Sequence, residues 1–167
     1  MIGLPERLVA PAMSDAEAFA AFIGCWQLVL MGIYHPDGTA DHPLGDGAVG
    51  QIMYSVDGHM SCHLMQANRP PLASYGLDHI PDADLGRAIR AYSGYFGTFT
   101  VDAAAGVVTH HVAGAWYPNM SGSDQPRRYA FVGDRLFLEA ETGDDLVRIE
   151  WRRHVTEAAR RLSEAGR

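Results

Sequence analysis

Short segments of strand-forming residues follow one another along most of this chain, and most of them end in a tight turn. Asp57-Gly58 stands between two of the segments and is typical of a hairpin, and Gly133-Asp134 separates a later pair. We predict eight strands, at residues 25–34, 50–55, 59–65, 98–101, 107–116, 127–132, 135–140 and 146–153. Antiparallel strands in this up-and-down order favour closure into a barrel, which leaves no edge to protect. A barrel of eight strands holds either its own side chains or one small ligand.

Three helices are predicted around this sheet. Ser14 and Glu17 have the spacing of a capping box, so a helix should run from there towards Ile23. Residues 82–95 carry helix formers with apolar side chains on one face, which predicts an inserted helix that covers one mouth of the barrel. The third helix is expected within residues 154–167, on the outside of the sheet.

Composition excludes several classes of protein. The chain has 167 residues and a net charge of −7, and its basic residues are scattered, so we expect no nucleic-acid partner. No segment approaches the ~20 apolar residues of a membrane span, and the N-terminus has no continuous apolar run, so we expect a cytoplasmic protein without a membrane partner. Lysine is absent, which excludes lysine Schiff-base chemistry. We found no glycine-rich nucleotide loop or paired cysteines with metal spacing, and we expect no cofactor.

Several stretches carry a family resemblance. Gly24-Cys25-Trp26, after a short helix, looks like the Gly-x-Trp signature of lipocalins. Further blocks follow in order: GQIMYSVDGHMS at 50–61, GYFGTFTVD at 94–102, VTHHV at 108–112, PN at 118–119, RRY at 127–129 and GDRL at 133–136. Together they resemble the bacterial and fungal lipocalin-like domain proteins, a cytosolic group with calycin-type barrels.

The resemblance implies one lipocalin-like domain over residues 1–167, with the barrel at about 22–153. The implied fold is mainly β: an antiparallel, up-and-down barrel of about eight strands with an N-terminal helix, a helical insertion and a C-terminal helix. It also implies that Trp26 closes the barrel floor under an arginine from the last strand, for which Arg152 and Arg153 stand at the matching end. No particular reaction follows, because a fold does not determine function.

His110 and His111 are adjacent on a predicted strand, so they point to opposite faces and cannot share one metal ion. His110 lies on the more apolar face, and we predict that it points into the barrel. His59 and His63 share a face, but four residues along a strand span about 13 Å, too far for one zinc ion. We therefore predict no metal site.

Arg127 shares its predicted face with two aromatic residues and would be costly there without an anionic partner. It could hold a substrate carboxylate or a developing oxyanion, or it could pair structurally with Glu139 or Glu150 or stack on an aromatic ring. Tyr54 could orient a substrate or relay a proton. Six further residues are predicted to contact a ligand, at the rim or inside the barrel: Trp116, Asn119, Tyr95, Tyr129, Met53 and Met60.

These residues support three hypotheses. The first is an enzyme that isomerises, cyclises or hydrates a small apolar or aromatic metabolite, with His110 as acid and base, Arg127 on the oxyanion and Tyr54 assisting. The second is a protein that binds or carries such a molecule without turnover. The third is a barrel filled by its own side chains. The sequence leaves a homodimer open.

Overall fold

The structure is a computed structural model that describes residues 6–74, 76–158, 161 and 165. Within those residues it contains two α-helices and nine β-strands. The helices are α1 (Asp15–Phe22) and α2 (Asp82–Arg90). The strands are β1 (Gly24–Tyr34), β2 (Ala40–Asp41), β3 (Val49–Tyr54), β4 (His59–Met65), β5 (Tyr92–Asp102), β6 (Val107–Ala115), β7 (Asp124–Val132), β8 (Arg135–Thr142) and β9 (Asp145–His154).

Eight of the strands close into an antiparallel barrel. Each strand from β3 to β9 pairs with the next, and β1 completes the circle by pairing with both β3 and β9. The short β2 adds to the far end of β1, inside a stretch that the sequence predicts as loop. The predicted up-and-down, lipocalin-like barrel is confirmed.

Side chains alternate between the two faces of the barrel wall, as the strand geometry requires. On β4, Met60, Cys62 and Leu64 are buried, whereas the intervening His63 is half-buried on the outside. There its Nδ1 lies 2.7 Å from the hydroxyl of Tyr92. The two cysteines of the chain are both free thiols.

Helix α1 fills one end of the barrel. It begins with the predicted capping box, in which Ser14 and Glu17 bond to each other's backbone N–H groups. Phe22 is completely buried, and its ring packs against Tyr54, Tyr129 and Phe131 at centroid distances of 5.0–5.1 Å. Aromatic side chains bury the largest apolar areas, so this cluster anchors the helix in the barrel.

Trp26 lies beside this cluster and is 1% exposed. The guanidinium carbon of Arg153 stands 4.0 Å from the centre of its ring. Arg153 also donates hydrogen bonds to the carbonyls of Ile23 and Ala21, at 2.9 and 2.6 Å, just beyond the end of α1 and within it. The arginine that the resemblance implied is therefore Arg153, and it ties the last strand to the first helix.

The prediction of the inserted helix is wrong at its C-terminal end. Helix α2 ends at Arg90, and residues 92–102 form the long strand β5, where we predicted only 98–101. The cause is tertiary, because β5 pairs along its first half with β4. None of the residues of α2 is buried, so α1 and not α2 fills a barrel end. Most of the third predicted helix, within residues 154–167, lies outside the described residues.

Candidate functional site

His110 lies in the middle of the barrel wall and points into the interior. It is 0% exposed, whereas the side chain of its neighbour His111 is 37% exposed and contacts Asp124 on the outer surface. The predicted orientation of the two histidines is therefore confirmed. His110 is one of only two buried polar or charged residues among those described, the other being Glu139.

Two tyrosine hydroxyls hold the imidazole of His110. The hydroxyl of Tyr54 on β3 lies 2.8 Å from Nε2, and the hydroxyl of Tyr95 on β5 lies 2.8 Å from Nδ1. The Tyr54 hydroxyl has no other partner among the described residues, so its proton must go to Nε2. A neutral imidazole then carries its proton on Nδ1 and donates it to Tyr95.

Cys62 is the direct neighbour of Tyr95 across β4 and β5, and the Tyr95 hydroxyl partly offsets the effect of burial on the pKa of the Cys62 thiol. The hydrogen-bond donors run from Tyr54 to His110 and from His110 to Tyr95. Both ring nitrogens of the buried imidazole are therefore satisfied, as a low-dielectric interior requires. We call Tyr54, His110, Tyr95 and Cys62 the polar chain.

Burial sets the protonation states of the polar chain. It lowers the pKa of His110 to about 3, with further contributions from the positive charge of Arg127 and from His111. Burial raises the pKa of Cys62 to about 12 and raises the pKa values of both tyrosines. All four groups are therefore neutral at physiological pH.

Arg127 on β7 also faces inward, because it pairs with the buried Val108 across β6 and β7. Its guanidinium donates to the carbonyl of Pro126 at 3.0 Å and to Oε1 of Gln125 at 3.2 Å. The positive charge of Arg127 lies within electrostatic reach of the polar chain. It lowers the pKa values of all four members, Tyr54, Tyr95, Cys62 and His110.

Neither structural pairing considered for Arg127 occurs. Glu139 pairs with Arg148, and Glu150 pairs with Arg135. No described carboxylate lies within 4.0 Å of the Arg127 guanidinium, and no hydrogen bond joins it to His110. The structure thus brings Tyr54 and His110 into contact, whereas Arg127 acts on them through its charge alone.

The predicted ligand residues separate into three groups. Tyr95 and Met60 are buried and face inward, although Tyr95 lies on a strand and not, as expected, at the end of a helix. Tyr129 packs into the aromatic cluster under α1 and is fully buried, so it belongs to the closed end of the barrel. Trp116 and Asn119 lie beyond β6, and the amide of Asn119 donates to the hydroxyl of Tyr117 at 3.3 Å.

The prediction that Met53 lines the cavity is wrong. Met53 alternates with the inward-facing Ile52 and Tyr54 and is 45% exposed. It lines a groove on the outer surface with Cys25 and Phe96. The strand period of two decides this, and it could have been applied to the sequence directly.

The interior is accessible on the side of β1, β7 and β9. Leu28, Met31 and Ile149 face inward there and are only partly buried, as are Gln125 and Arg127. An inward-facing side chain of a closed barrel reaches solvent only where the wall or an end is open. The barrel is therefore filled at the α1 end and open at this side.

Sequence reasoning missed two interior residues. Trp151 faces inward between Leu136 and Leu28, is completely buried, and its indole N–H has no acceptor among the described residues. An unpaired buried donor costs roughly 1–3 kcal/mol. Gln125 orients Arg127, and its position two residues before the arginine on one strand face was the available signal.

The described residues contain no group of three or more histidine, cysteine or acidic side chains arranged to hold a metal ion. In the same part of the chain, we find no helix with the length and apolar character needed to cross a membrane.

Comparison with known proteins identifies the barrel. The family model of the lipocalin-like domain matches residues 23–160. Among solved structures, a crystal structure of a mutant of the fluorescent protein UnaG covers 80% of this chain and 96% of its own, with 10% sequence identity and a TM-score of 0.38. No curated protein matches the chain.

Proposed function

The chain belongs to the lipocalin-like domain family, and on that premise we propose that it binds a small apolar or aromatic molecule inside the barrel. One observation carries the proposal. The end of the barrel under α1 is filled by buried side chains, yet inward-facing apolar side chains on β1 and β9 remain accessible to solvent. A barrel built only to hold its own side chains would bury them all. Binding sites of this kind combine apolar walls with a few polar groups.

The polar group suited to orient such a molecule is the guanidinium of Arg127. It is a donor without an acceptor lone pair, so it favours a ligand that carries a carbonyl or carboxylate oxygen. We propose that the protein acts in the cytoplasm.

Equilibrium dialysis against a panel of aromatic acids, unsaturated ketones, polyketide fragments and terpenoids tests this function. The matched variants are Leu28→Trp, which adds volume to the inward face, and Val29→Trp, which adds it at the neighbouring exposed bulge. Binding inside the barrel should be lost in the first and kept in the second. Equal binding by both variants would place the ligand elsewhere, and retention of no compound would reject these ligand classes.

A second candidate is catalysis without a cofactor, by isomerisation, cyclisation or hydration. The polar chain favours it, because it joins an imidazole to tyrosine hydroxyls, which are groups that general acid–base catalysis uses. Binding alone is the better supported, since His110 is buried with both ring nitrogens engaged and its pKa of about 3 makes it a weak base at neutral pH. If a dialysed compound is consumed while an isomer or a water adduct appears, His110→Gln should abolish that turnover and leave most of the affinity.

A further inference from the structure

The barrel wall is open between β7 and β8. All of residues 124–143 are described, and β7 pairs with β6 over residues 124–128 but with β8 only over residues 128–132. The C-terminal part of β8, residues 140–142, pairs only with β9. Pro126 lies in the part of β7 that is not paired with β8, and it has no N–H to donate, which prevents a regular ladder with β8 there.

A cleft of about 370 Å³ occupies this opening. Gln125, Pro126 and Arg127 form its β7 side, and Glu139 and Glu141 belong to its β8 side. Arg7, from the segment before α1, lines it as well and forms an ion pair with Glu141.

The charges around the cleft do not balance. Arg148 neutralises Glu139, and Arg7 neutralises Glu141. Arg127 and Arg128 also line the cleft, and neither has a carboxylate within 4.0 Å among the described residues. Two positive charges are thus left at one opening of a protein whose net charge is −7.

Of these two, only Arg127 reaches both the cleft and the interior. It lies on the inward face of β7, next to the polar chain. Arg128 lies on the outer face, opposite the backbone of Glu139 in the ladder between β7 and β8. Two neutral oxygens, from Pro126 and Gln125, hold the guanidinium in place without neutralising it. A planar guanidinium held this way presents a fork of N–H donors that matches a carboxylate.

We propose that the cleft between β7 and β8 is the subsite for the carboxylate of an amphipathic ligand, with Arg127 as its anchor and the apolar part of the ligand inside the barrel. This inference rests on the proposed ligand-binding function and names the chemical class of the ligand. A carboxylate suits the site better than a phosphate monoester, because a single inward guanidinium balances the one negative charge of a carboxylate but not the larger charge of the phosphate.

Fluorescence titration with pyrenebutanoic acid and its uncharged analogue pyrenebutanol tests the subsite. We expect wild type to bind the acid at least ten-fold more tightly than the alcohol. Arg127→Gln should weaken the acid about ten-fold and change the alcohol less than about two-fold, since one charged hydrogen-bonding pair is worth a factor of this size. Arg152→Gln is the matched control, because it removes the same charge from an exposed arginine on β9.

The outcomes separate the two proposals. If both probes bind wild type equally, or if the two arginine variants weaken the acid equally, the carboxylate subsite is refuted while ligand binding stands. If neither probe binds, both proposals fail. Should Arg127→Gln not fold, wild type alone still decides: the preference for the acid should shrink between about 0.01 M and about 1 M salt, where the screening length falls from about 30 Å to about 3 Å. An unchanged preference would refute the subsite.

Discussion

Replacing His110 with glutamine should make the free energy of unfolding of this protein much less sensitive to acid. Burial lowers the pKa of the folded His110 from 6.5 to about 3. Between these two pH values the unfolded chain accepts a proton that the folded protein excludes. The free energy of unfolding must therefore fall as the pH falls from about 6.5 towards about 3.

The magnitude follows from the difference in pKa. Each pH unit below 6.5 costs about 1.4 kcal/mol, so wild type should lose about 2 kcal/mol through His110 between pH 6.5 and about pH 5. The physical origin is burial, because a charged imidazole would lose its hydration in the dry interior. A proton added to Nε2 would also leave the hydroxyl of Tyr54 without an acceptor.

Urea unfolding at several pH values between about 7.5 and 5 measures this difference. His110→Gln is expected to be less stable than wild type at neutral pH, but its stability should change less with pH by about 2 kcal/mol over the range. The control is His111→Gln, on the same strand but facing outward, which should keep the acid-dependent loss that His110 causes. Parallel pH profiles for wild type and His110→Gln would refute the low pKa of His110.

Three further predictions concern the fold, each measured as the free energy of unfolding in urea. Arg153→Ala should lose about 2–3 kcal/mol, since it removes two hydrogen bonds and the cation above Trp26, whereas Arg152→Ala should change it by less than about 0.5 kcal/mol; equal losses would contradict the assignment. Glu139→Leu should cost about 3 kcal/mol or more because it leaves a partly buried arginine unpaired, and a neutral effect would show that the pair is dispensable. Gly97→Ala should cost about 3 kcal/mol, because the new methyl group would lie 1.9 Å from a carbonyl oxygen of β6, and Thr98→Ala next to it should be close to neutral.

Much of the architecture could be predicted from local pattern. The alternation of apolar residues identified most strands, Asp57-Gly58 identified a hairpin, and the spacing of Ser14 and Glu17 identified the start of α1. The same alternation also placed His110 inside, because successive side chains of a strand must point to opposite faces. These features depend only on backbone geometry within a few residues, so they can be predicted from neighbouring positions in the sequence.

The predictions that failed concern features that depend on pairing between segments distant in sequence. Residues 92–95 were predicted as the end of a helix, because Tyr92 continues the spacing of Leu85 and Ile89. Pairing with β4 makes them strand instead and so places Tyr95 beside His110. Tyr54 and His110 are 56 positions apart in sequence, and no local pattern predicts their contact.

The sequence by itself determined most of the strands, the inward direction of His110 and the family of the fold. Only the tertiary structure decided which side chains meet: the polar chain around His110, the unpaired Arg127 and the opening between β7 and β8. The physical reason is that a strand's period is set within the strand, whereas its register and its neighbours are set by closure of the whole barrel.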